Sequence, residues 1–368
     1  MRALLPPLAA LLLTGAQKAP APPARDTGRY ALSSDAEARW VPFELTPANQ
    51  IRFRMSVDGR PVSAILDTGV SFSLLRRGAA GVDPARVRPA GEATAIGGAV
   101  PVGWLPTGRL ALGPLTRTGG GLAVAELPAL ATGSAAAPDL LVGRDLLERY
   151  ALDIDYEGKR FRLLPSGRLP FPGATAPLSV SAARRVYEGE LTLGGRRVRP
   201  VVVDTGDGSP VTLARPEWLA ARLPAQPVTS AVSFGLGGRV VSDLAIVPEL
   251  RVGALRARDV EVRIEAADGF SERIGAGGRI GSGFLMGYRV LLDPRAGRMV
   301  LRPGPGADKP PVRSTSGLLL GVLPNRLRVL HAMRGGPGAA AGWRDGDTIC
   351  AVDGVAVGPG YPRDPLAH

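Results

Sequence analysis

The sequence predicts a mainly β protein made of two similar halves, followed by a small α+β module at the C-terminal end. From about Trp40 onward, short apolar runs alternate with turns rich in Gly, Pro and Asp, which is the pattern of short β-strands. One apolar run that ends in Asp-Thr-Gly occurs twice, at residues 64–69 and 201–206. Landmarks around the two copies keep a nearly constant separation, which indicates an internal duplication.

Length and composition limit the class of protein. The 368 residues allow two or three domains, and 45% hydrophobic residues are enough to fill sizeable cores. A single cysteine, Cys350, excludes an internal disulfide. Only two histidines are present, His331 and His368, so the first 330 residues cannot support a His-dependent nucleophile or a His-based zinc site. Carboxylates are therefore the candidate catalytic groups, and we expect neither a metal nor a cofactor.

The net charge of +12 does not by itself predict a nucleic-acid-binding protein. The basic residues are nearly all arginines, spread singly, without a Lys/Arg block or interleaved aromatic residues. We interpret them as a bias of composition. No apolar run approaches the length of a membrane span. Neither nucleic acid nor an integral membrane span is therefore expected.

Residues 1–16 are typical of a secretory signal peptide, with one positive charge, an apolar core and a small-x-small cleavage site. An uncleaved amphipathic start is the alternative, because two prolines interrupt the core. An exported chain without disulfides fits the periplasm of a Gram-negative bacterium. Residues 17–38, rich in Pro and Ala, are predicted to be a linker. They include a third Asp-Thr-Gly at residues 26–28, which we assign to the linker because no apolar strand precedes it.

In both strand-borne copies of the motif, a hydrophobic run delivers an aspartate, Asp67 or Asp204, to a sharp turn. A buried carboxylate without a basic neighbour in the sequence is costly, which points to a functional role. The pattern resembles the active-site signature of the aspartic proteases, in which each half of the molecule supplies one aspartate. The resemblance implies that Asp67 and Asp204 are the catalytic pair and that their loops are supported by Thr68, Gly69, Thr205 and Gly206.

A glycine-tipped hairpin follows each copy of the motif, at residues 94–100 and 232–241. In the aspartic proteases a hairpin at this position is the flap, which closes over the substrate. The resemblance therefore implies a flap or substrate-binding role for Ile96, Gly97, Gly98, Gly237 and Gly238. An ordinary glycine-rich hairpin turn is the alternative.

The segment at residues 139–150 is similar to the retropepsins, the branch of the family that includes the retroviral proteases. An apolar strand, a glycine and Arg-Asp-Leu-Leu follow one another there, and residues 280–288 take the matching place. Gly281 follows Gly143 by 138 positions, and Asp204 follows Asp67 by 137. The resemblance implies two tandem retropepsin-like β-barrel lobes, residues 39–165 and 175–303, that form a pseudo-dimer within one monomeric chain.

Residues 304–313 are predicted to be a second linker, because Gly and Pro dominate them. Residues 314–368 resemble a bacterial PDZ module, with a strand, a Gly-x-Pro-Gly-Ala-Ala helix and a Gly-Asp-x-Ile strand. Residues 316–320 would be its carboxylate-binding loop. Only residues 355–368 remain for the second helix that the groove needs, and three prolines lie among them, so we expect an incomplete groove. We expect His331 to project from a strand without a catalytic role.

The resemblance implies hydrolysis of a protein or peptide substrate by water activated between Asp67 and Asp204. Adjacent carboxylates share a proton, as the dyads of aspartic proteases are known to do. Asp207 would raise the proton affinity of the pair if it faces inward. The second half has Ser282-Gly283 where the first has Arg144-Asp145. This departure and the incomplete PDZ module favour an alternative function, a non-catalytic peptide-binding pseudoprotease of the cell envelope. A structural protein of the cell envelope is a further alternative, which fits the signal peptide but gives no reason for two Asp-Thr-Gly turns in register.

Overall fold

The computed structural model describes residues 28–310 and 314–359, which form a mainly β fold. The predicted signal peptide and His368 lie outside the described residues. Within the described ranges, no helix has the length and apolar character needed to cross a membrane.

The first half consists of short strands joined by tight turns. In chain order these are β1 (Arg29–Leu32), β2 (Val41–Leu45), β3 (Ile51–Val57), β4 (Arg60–Leu66), β5 (Leu74–Arg76), β6 (Arg88–Ala95), β7 (Gly98–Pro106), β8 (Arg109–Leu112), β9 (Leu115–Thr118), β10 (Gly121–Ala125), β11 (Leu140–Val142), β12 (Tyr150–Asp155) and β13 (Arg160–Pro165). The helix α1 (Arg144–Leu147) precedes β12, and 3-10 turns lie at Ala36–Ala38, Pro84–Arg86 and Ala129–Thr132. Every second residue of β3 is buried, so one face of this strand lies on the core.

The second half repeats this plan. Its strands are β14 (Ala174–Pro177), β15 (Ser179–Val180), β16 (Tyr187–Leu193), β17 (Arg196–Asp204), β18 (Val211–Leu213), β19 (Thr229–Gly235), β20 (Gly238–Val252), β21 (Leu255–Ile264), β22 (Gly278–Gly281), β23 (Tyr288–Asp293) and β24 (Arg298–Pro303). Its helices are α2 (Arg215–Ala220), α3 (Phe270–Arg273) and α4 (Ser282–Leu285). The helix α4 and the strands β23 and β24 each begin 138 residues after α1, β12 and β13, respectively.

The motif-bearing strands of the two halves have the same neighbours. The strand β4 pairs in parallel with β11, with Leu66 opposite Val142, and β17 pairs in parallel with β22, with Asp204 opposite Gly281. Because parallel strands end at the same edge, each Asp-Thr-Gly turn lies beside the glycine that begins α1 or α4.

The halves meet where β12 pairs antiparallel with β23. The register is symmetric about the pair Asp153–Leu291, because Leu152 lies opposite Leu292 and Ile154 opposite Val290. The strands on either side give the sheet order β14-β24-β23-β12-β13-β2. One apolar core contains side chains of both halves, so the two halves form one packed body.

Two segments predicted as linkers are in part folded. Within residues 17–38, β1 pairs antiparallel with β9, and Tyr30 and Leu32 pack against the main core. A run of four residues, of which only Tyr30 and Leu32 face the core, is too short to be distinguished from a linker in the sequence. Within residues 304–313, the Gly304 amide donates to the Gly287 carbonyl at 2.9 Å, and Ala307 packs against the same core.

The C-terminal module has a sheet of three strands, β25 (Leu318–Leu323), β26 (Arg326–Ala332) and β27 (Thr348–Ile349). The helix α5 (Pro337–Ala340) follows β26, and β28 (Ala351–Val352) and β29 (Val355–Ala356) form a hairpin. His331 lies on β26, as expected, and its side chain is buried. Residues 360–368, which would supply most of a second helix, lie outside the described residues.

Candidate active site

The structure brings Asp67 and Asp204 together. Asp67 directly follows β4, and its amide donates to the Val142 carbonyl of β11 at 2.9 Å. Asp204 is the last residue of β17. The two side-chain carboxyl groups are hydrogen-bonded to each other, and the two residues retain 8% and 7% of their exposure.

Thr68 and Thr205 tie the two turns together by reciprocal hydrogen bonds. The Thr68 hydroxyl donates to the Val203 carbonyl at 2.6 Å and accepts from the Thr205 amide at 3.1 Å. The Thr205 hydroxyl donates to the Leu66 carbonyl at 2.8 Å and accepts from the Thr68 amide at 3.1 Å. Both threonines are fully buried, so each bond fixes one half against the other without competition from water.

Gly69 and Gly206 leave the space that the carboxyl groups occupy. A Cβ atom on Gly69 would lie 2.3 Å from Cγ of Asp204, and one on Gly206 would lie 2.2 Å from Cγ of Asp67. Each glycine amide also donates to the aspartate of its own turn, at 3.0 Å in the first half and 2.9 Å in the second. Only glycine therefore allows the two carboxyl groups to meet.

The helices α1 and α4 brace the two turns in the same way. The Arg144 amide donates to the Val70 carbonyl at 2.9 Å, and the Ser282 amide donates to the Asp207 carbonyl at 2.7 Å. The Ser282 hydroxyl adds a bond to the Thr205 carbonyl at 2.7 Å. A Cβ atom on Gly283 would lie 2.7 Å from the Gly208 carbonyl oxygen, which explains the glycine there. The departure of the second half from the Arg-Asp pattern therefore preserves the backbone brace.

Asp207 faces inward and is bound by a buried arginine. Its carboxylate accepts from Arg279 Nε and from the Ser209 amide, both at 2.9 Å. Arg279 also donates to Glu265 at 2.6 Å and to the Ser271 hydroxyl at 3.0 Å. Sequence reasoning missed Arg279 and Glu265. The sequence signal for Arg279 is an arginine within an otherwise apolar strand, β22, that ends in glycine.

The surroundings raise the pKa of both carboxyl groups of the dyad, the pair Asp67–Asp204. Burial and the neighbouring charge of Asp204 raise the pKa of Asp67 well above its usual range. Burial and the charge of Asp207 raise the pKa of Asp204 to about 6, although Arg279 opposes the rise. Burial alone would raise the pKa of Asp207, but Arg279 and the Ser209 amide hold it below its ordinary value. Because both pKa values are raised and the two carboxyl groups are adjacent, the pair holds one shared proton under conditions in which two free aspartates would both be ionised.

The two glycine-tipped hairpins, β6–β7 and β19–β20, touch at their tips. The Gly237 amide donates to the Ile96 carbonyl at 2.9 Å, and a Cβ atom on Gly97 would lie 2.6 Å from the Gly238 amide nitrogen. Leu236 packs into an apolar cluster of the first half together with Val70, the residue after the first motif. All five predicted flap residues therefore lie in or beside the contact between the two hairpin tips. Through Leu236, the second hairpin also packs in the cluster that contains Val70 of the first turn.

The sequence matches no family model, and no curated protein matches it. The assignment of a function therefore depends on the geometry and electrostatics of the site.

Proposed function

We propose that this protein is an aspartic endopeptidase in which two retropepsin-like β-barrel lobes, residues 39–165 and 175–303, form a pseudo-dimer in one chain. The observation that carries the proposal is the pair Asp67–Asp204, which is buried, hydrogen-bonded and supplied by corresponding turns of the two halves. The reciprocal bonds of Thr68 and Thr205 support it, because they hold the two carboxyl groups at a defined separation. In the proposed fold, β1 extends the first lobe at its N-terminal side.

In the proposed reaction, the two carboxyl groups act as acid and base. The Asp204 carboxylate accepts a proton from a water molecule, and protonated Asp67 donates to the carbonyl oxygen of the scissile bond. The water oxygen attacks the carbonyl carbon, forming a gem-diol intermediate. This intermediate collapses as Asp204 gives its proton to the leaving amine and Asp67 accepts a proton from a gem-diol hydroxyl, and the peptide C–N bond breaks. Asp67 and Asp204 end with one shared proton, as they began.

The touching hairpins fit the role of flaps in this proposal. Their tips present backbone amide and carbonyl groups of Ile96, Gly97, Gly98, Gly237 and Gly238, which can hydrogen-bond an extended substrate chain. When the hairpins close over a substrate, they exclude water and strengthen the electrostatic interactions of the dyad.

The other parts of the proposal concern the ends of the chain. The strands β25–β27 and the helix α5 support a PDZ-like module at residues 314–368, reached through the segment 304–313. We propose that residues 1–16 direct export to the periplasm and that the chain acts as a monomer on protein or peptide substrates.

Cleavage of an unfolded protein substrate, followed between pH 3 and pH 7, tests the proposal. Asp67→Asn and Asp204→Asn should each lower kcat/KM by at least about 10²- to 10⁴-fold, the usual contribution of acid–base catalysis. The matched control is Asp26→Asn in the third Asp-Thr-Gly, which should keep full activity. A statine-type transition-state inhibitor should block the wild-type protein.

Two other outcomes would change the proposal. Continued cleavage by Asp204→Asn but not by Asp67→Asn would show that the first half pairs between chains, against a single-chain site. A folded wild-type protein that cleaves nothing at any pH would favour the peptide-binding pseudoprotease.

A further inference from the structure

A buried charged cluster lies beside the second turn and differs from the corresponding part of the first half. Asp207, Arg279 and Glu265 form it, and all three side chains are almost fully buried. In the first half, Val70 follows the motif where Asp207 follows it in the second. Arg279 lies opposite Val202 in the β17–β22 pair, and Leu141 has the matching place opposite Ile65. The dyad therefore has apolar surroundings on one side and charged surroundings on the other.

Asp207 connects this cluster directly to the dyad. Its amide donates to Asp204 Oδ1 at 3.1 Å, next to the Gly206 amide that donates to the same oxygen at 2.9 Å. Its carboxylate is held by Arg279, which is itself shared with Glu265. One cation for two carboxylates leaves the cluster with a net negative charge. That charge favours a proton on the neighbouring pair.

We propose that Asp207 is a positioning residue of the dyad, whose amide orients Asp204 and whose partly neutralised carboxylate keeps the shared proton on the pair at higher pH. The groups that face Asp207 are Asp67, Asp204, Arg279 and Glu265, together with the Ser209 amide. The positive charge of Arg279 lowers the proton affinity of the pair Asp67–Asp204, whereas the net negative charge of the whole cluster raises it. This proposal rests on the proposed function, since it concerns the pH range of the same reaction.

Asp207→Asn tests the proposal, because an asparagine keeps the backbone amide and an oxygen for Arg279. The basic limb of the pH profile of kcat/KM should move to lower pH by on the order of one unit. Glu265→Gln is the matched control, because it removes a charge from the far side of Arg279. Glu265→Gln should move the basic limb of the pH profile by less than a third as much as Asp207→Asn does. Equal shifts in both variants, or none in Asp207→Asn, would overturn the proposal.

A second measurement separates this proposal from the proposed function. Carboxyl ¹³C NMR follows the titration of Asp67 and Asp204 without any turnover. A lowered titration midpoint in Asp207→Asn would support the positioning role even if the wild-type protein cleaved nothing. Cleavage by the wild-type protein with an unmoved midpoint would reject the positioning role alone.

An independent set of contacts joins the C-terminal module to the second hairpin, mainly at its base, and an ion pair of Asp345 with Arg239 reaches the residue next to the tip. The His331 ring nitrogen Nε2 and the Arg334 amide both bond the Ser230 hydroxyl, at 2.9 Å each. The Arg334 guanidinium bonds the Thr229 carbonyl at 3.0 Å and Asp243 at 2.9 Å. Because Thr229 and Ser230 lie on β19 and Asp243 on β20, both strands of the hairpin are held.

From these contacts we infer that the C-terminal module braces the second hairpin and limits the opening of the contact between the hairpin tips. Ser230 lies opposite Asp243 in the β19–β20 pair, and the tip at Gly235–Gly238 is roughly 15–20 Å away along the strands. A hairpin fixed at its base moves less at its tip, where Gly237 meets Ile96.

Hydrogen exchange of the wild-type full chain and of Arg334→Ala tests the brace. Amides of residues 232–237 should exchange about tenfold faster in Arg334→Ala. Arg328→Ala, an exposed arginine on β26, is the matched control and should leave the exchange unchanged. Unchanged exchange in Arg334→Ala, or equal acceleration in both variants, would overturn the inference. The readout needs no proteolysis, so it stands apart from the proposed function.

Discussion

Replacing Asp204 by asparagine should change how the stability of the protein depends on pH. Burial and the charge of Asp207 raise the pKa of Asp204 from 3.8 to about 6. At a pH well below 3.8 the carboxyl group is protonated in both the native and the unfolded chain. As the pH rises, the unfolded chain releases the proton first, so the free energy of unfolding falls until the native group also ionises near pH 6.

The size of this effect follows from the shift. A change of the pKa from 3.8 to about 6 is roughly two units, and each unit corresponds to about 1.4 kcal/mol. Ionisation of Asp204 alone therefore lowers the free energy of unfolding by about 3 kcal/mol between pH 4 and pH 7. The pKa of Asp67 is raised as well, and its contribution has the same sign. Asparagine cannot ionise. After the loss of a hydrogen bond is subtracted, Asp204→Asn should therefore be about 2 kcal/mol more stable than the wild-type protein at pH 7.

Urea denaturation at half-unit steps from pH 4 to pH 7.5 measures the two curves. The wild-type free energy of unfolding should fall with rising pH, and that of Asp204→Asn should be flatter. Asp155→Asn is the matched control, because Arg160 and the Gly158 amide lower the pKa of Asp155 despite partial burial. It should not flatten the curve. Parallel curves for the wild-type protein and Asp204→Asn would refute the raised pKa.

Two further substitutions test the framework around the dyad. Thr68→Val should lower the free energy of unfolding by about 2–5 kcal/mol in urea denaturation, because the Val203 carbonyl and the Thr205 amide both lose the Thr68 hydroxyl as a hydrogen-bond partner. The control Thr212→Val, whose buried hydroxyl makes no hydrogen bond within the described residues, should not lower the free energy of unfolding, and equal losses would contradict the reasoning. Gly237→Ala should part the hairpin tips and speed hydrogen exchange there, because its Cβ atom would lie 2.3 Å from the Gly98 amide nitrogen. Unchanged exchange would show that the tips are not in close contact.

Much of the dyad could be predicted from the sequence, because its signal is local and occurs twice. An aspartate at the end of an apolar run needs no knowledge of the fold to be noticed. The spacing between Gly143 and Gly281 reflects the structure directly, since the helices that these glycines precede lie 138 residues apart. The mainly β class could be predicted for the same reason, because strand alternation is a local pattern.

The electrostatic surroundings of the dyad could not be predicted in the same way. Arg279 reaches Asp207 across 72 residues of sequence, and this contact depends on the antiparallel pairing of β18 with β22. The bond between Ser230 and His331 spans 101 residues and depends on how the C-terminal module docks. No periodicity or motif encodes such contacts, because tertiary packing alone brings the partners together.

The difference between the two turns is a property that a duplicated chain can have and a symmetric pair of identical halves cannot. In such a pair, both aspartates have the same surroundings, and the shared proton has no preferred owner before the substrate binds. In this chain, the first turn has Val70 beside the dyad, and the second has Asp207 with Arg279. The two carboxyl groups therefore differ in proton affinity in the free protein. Asp204 Oδ1 accepts two backbone amides and Asp67 Oδ1 accepts one, which favours the ionised form at Asp204. In the proposed reaction, this difference gives the base role to Asp204 and the acid role to Asp67.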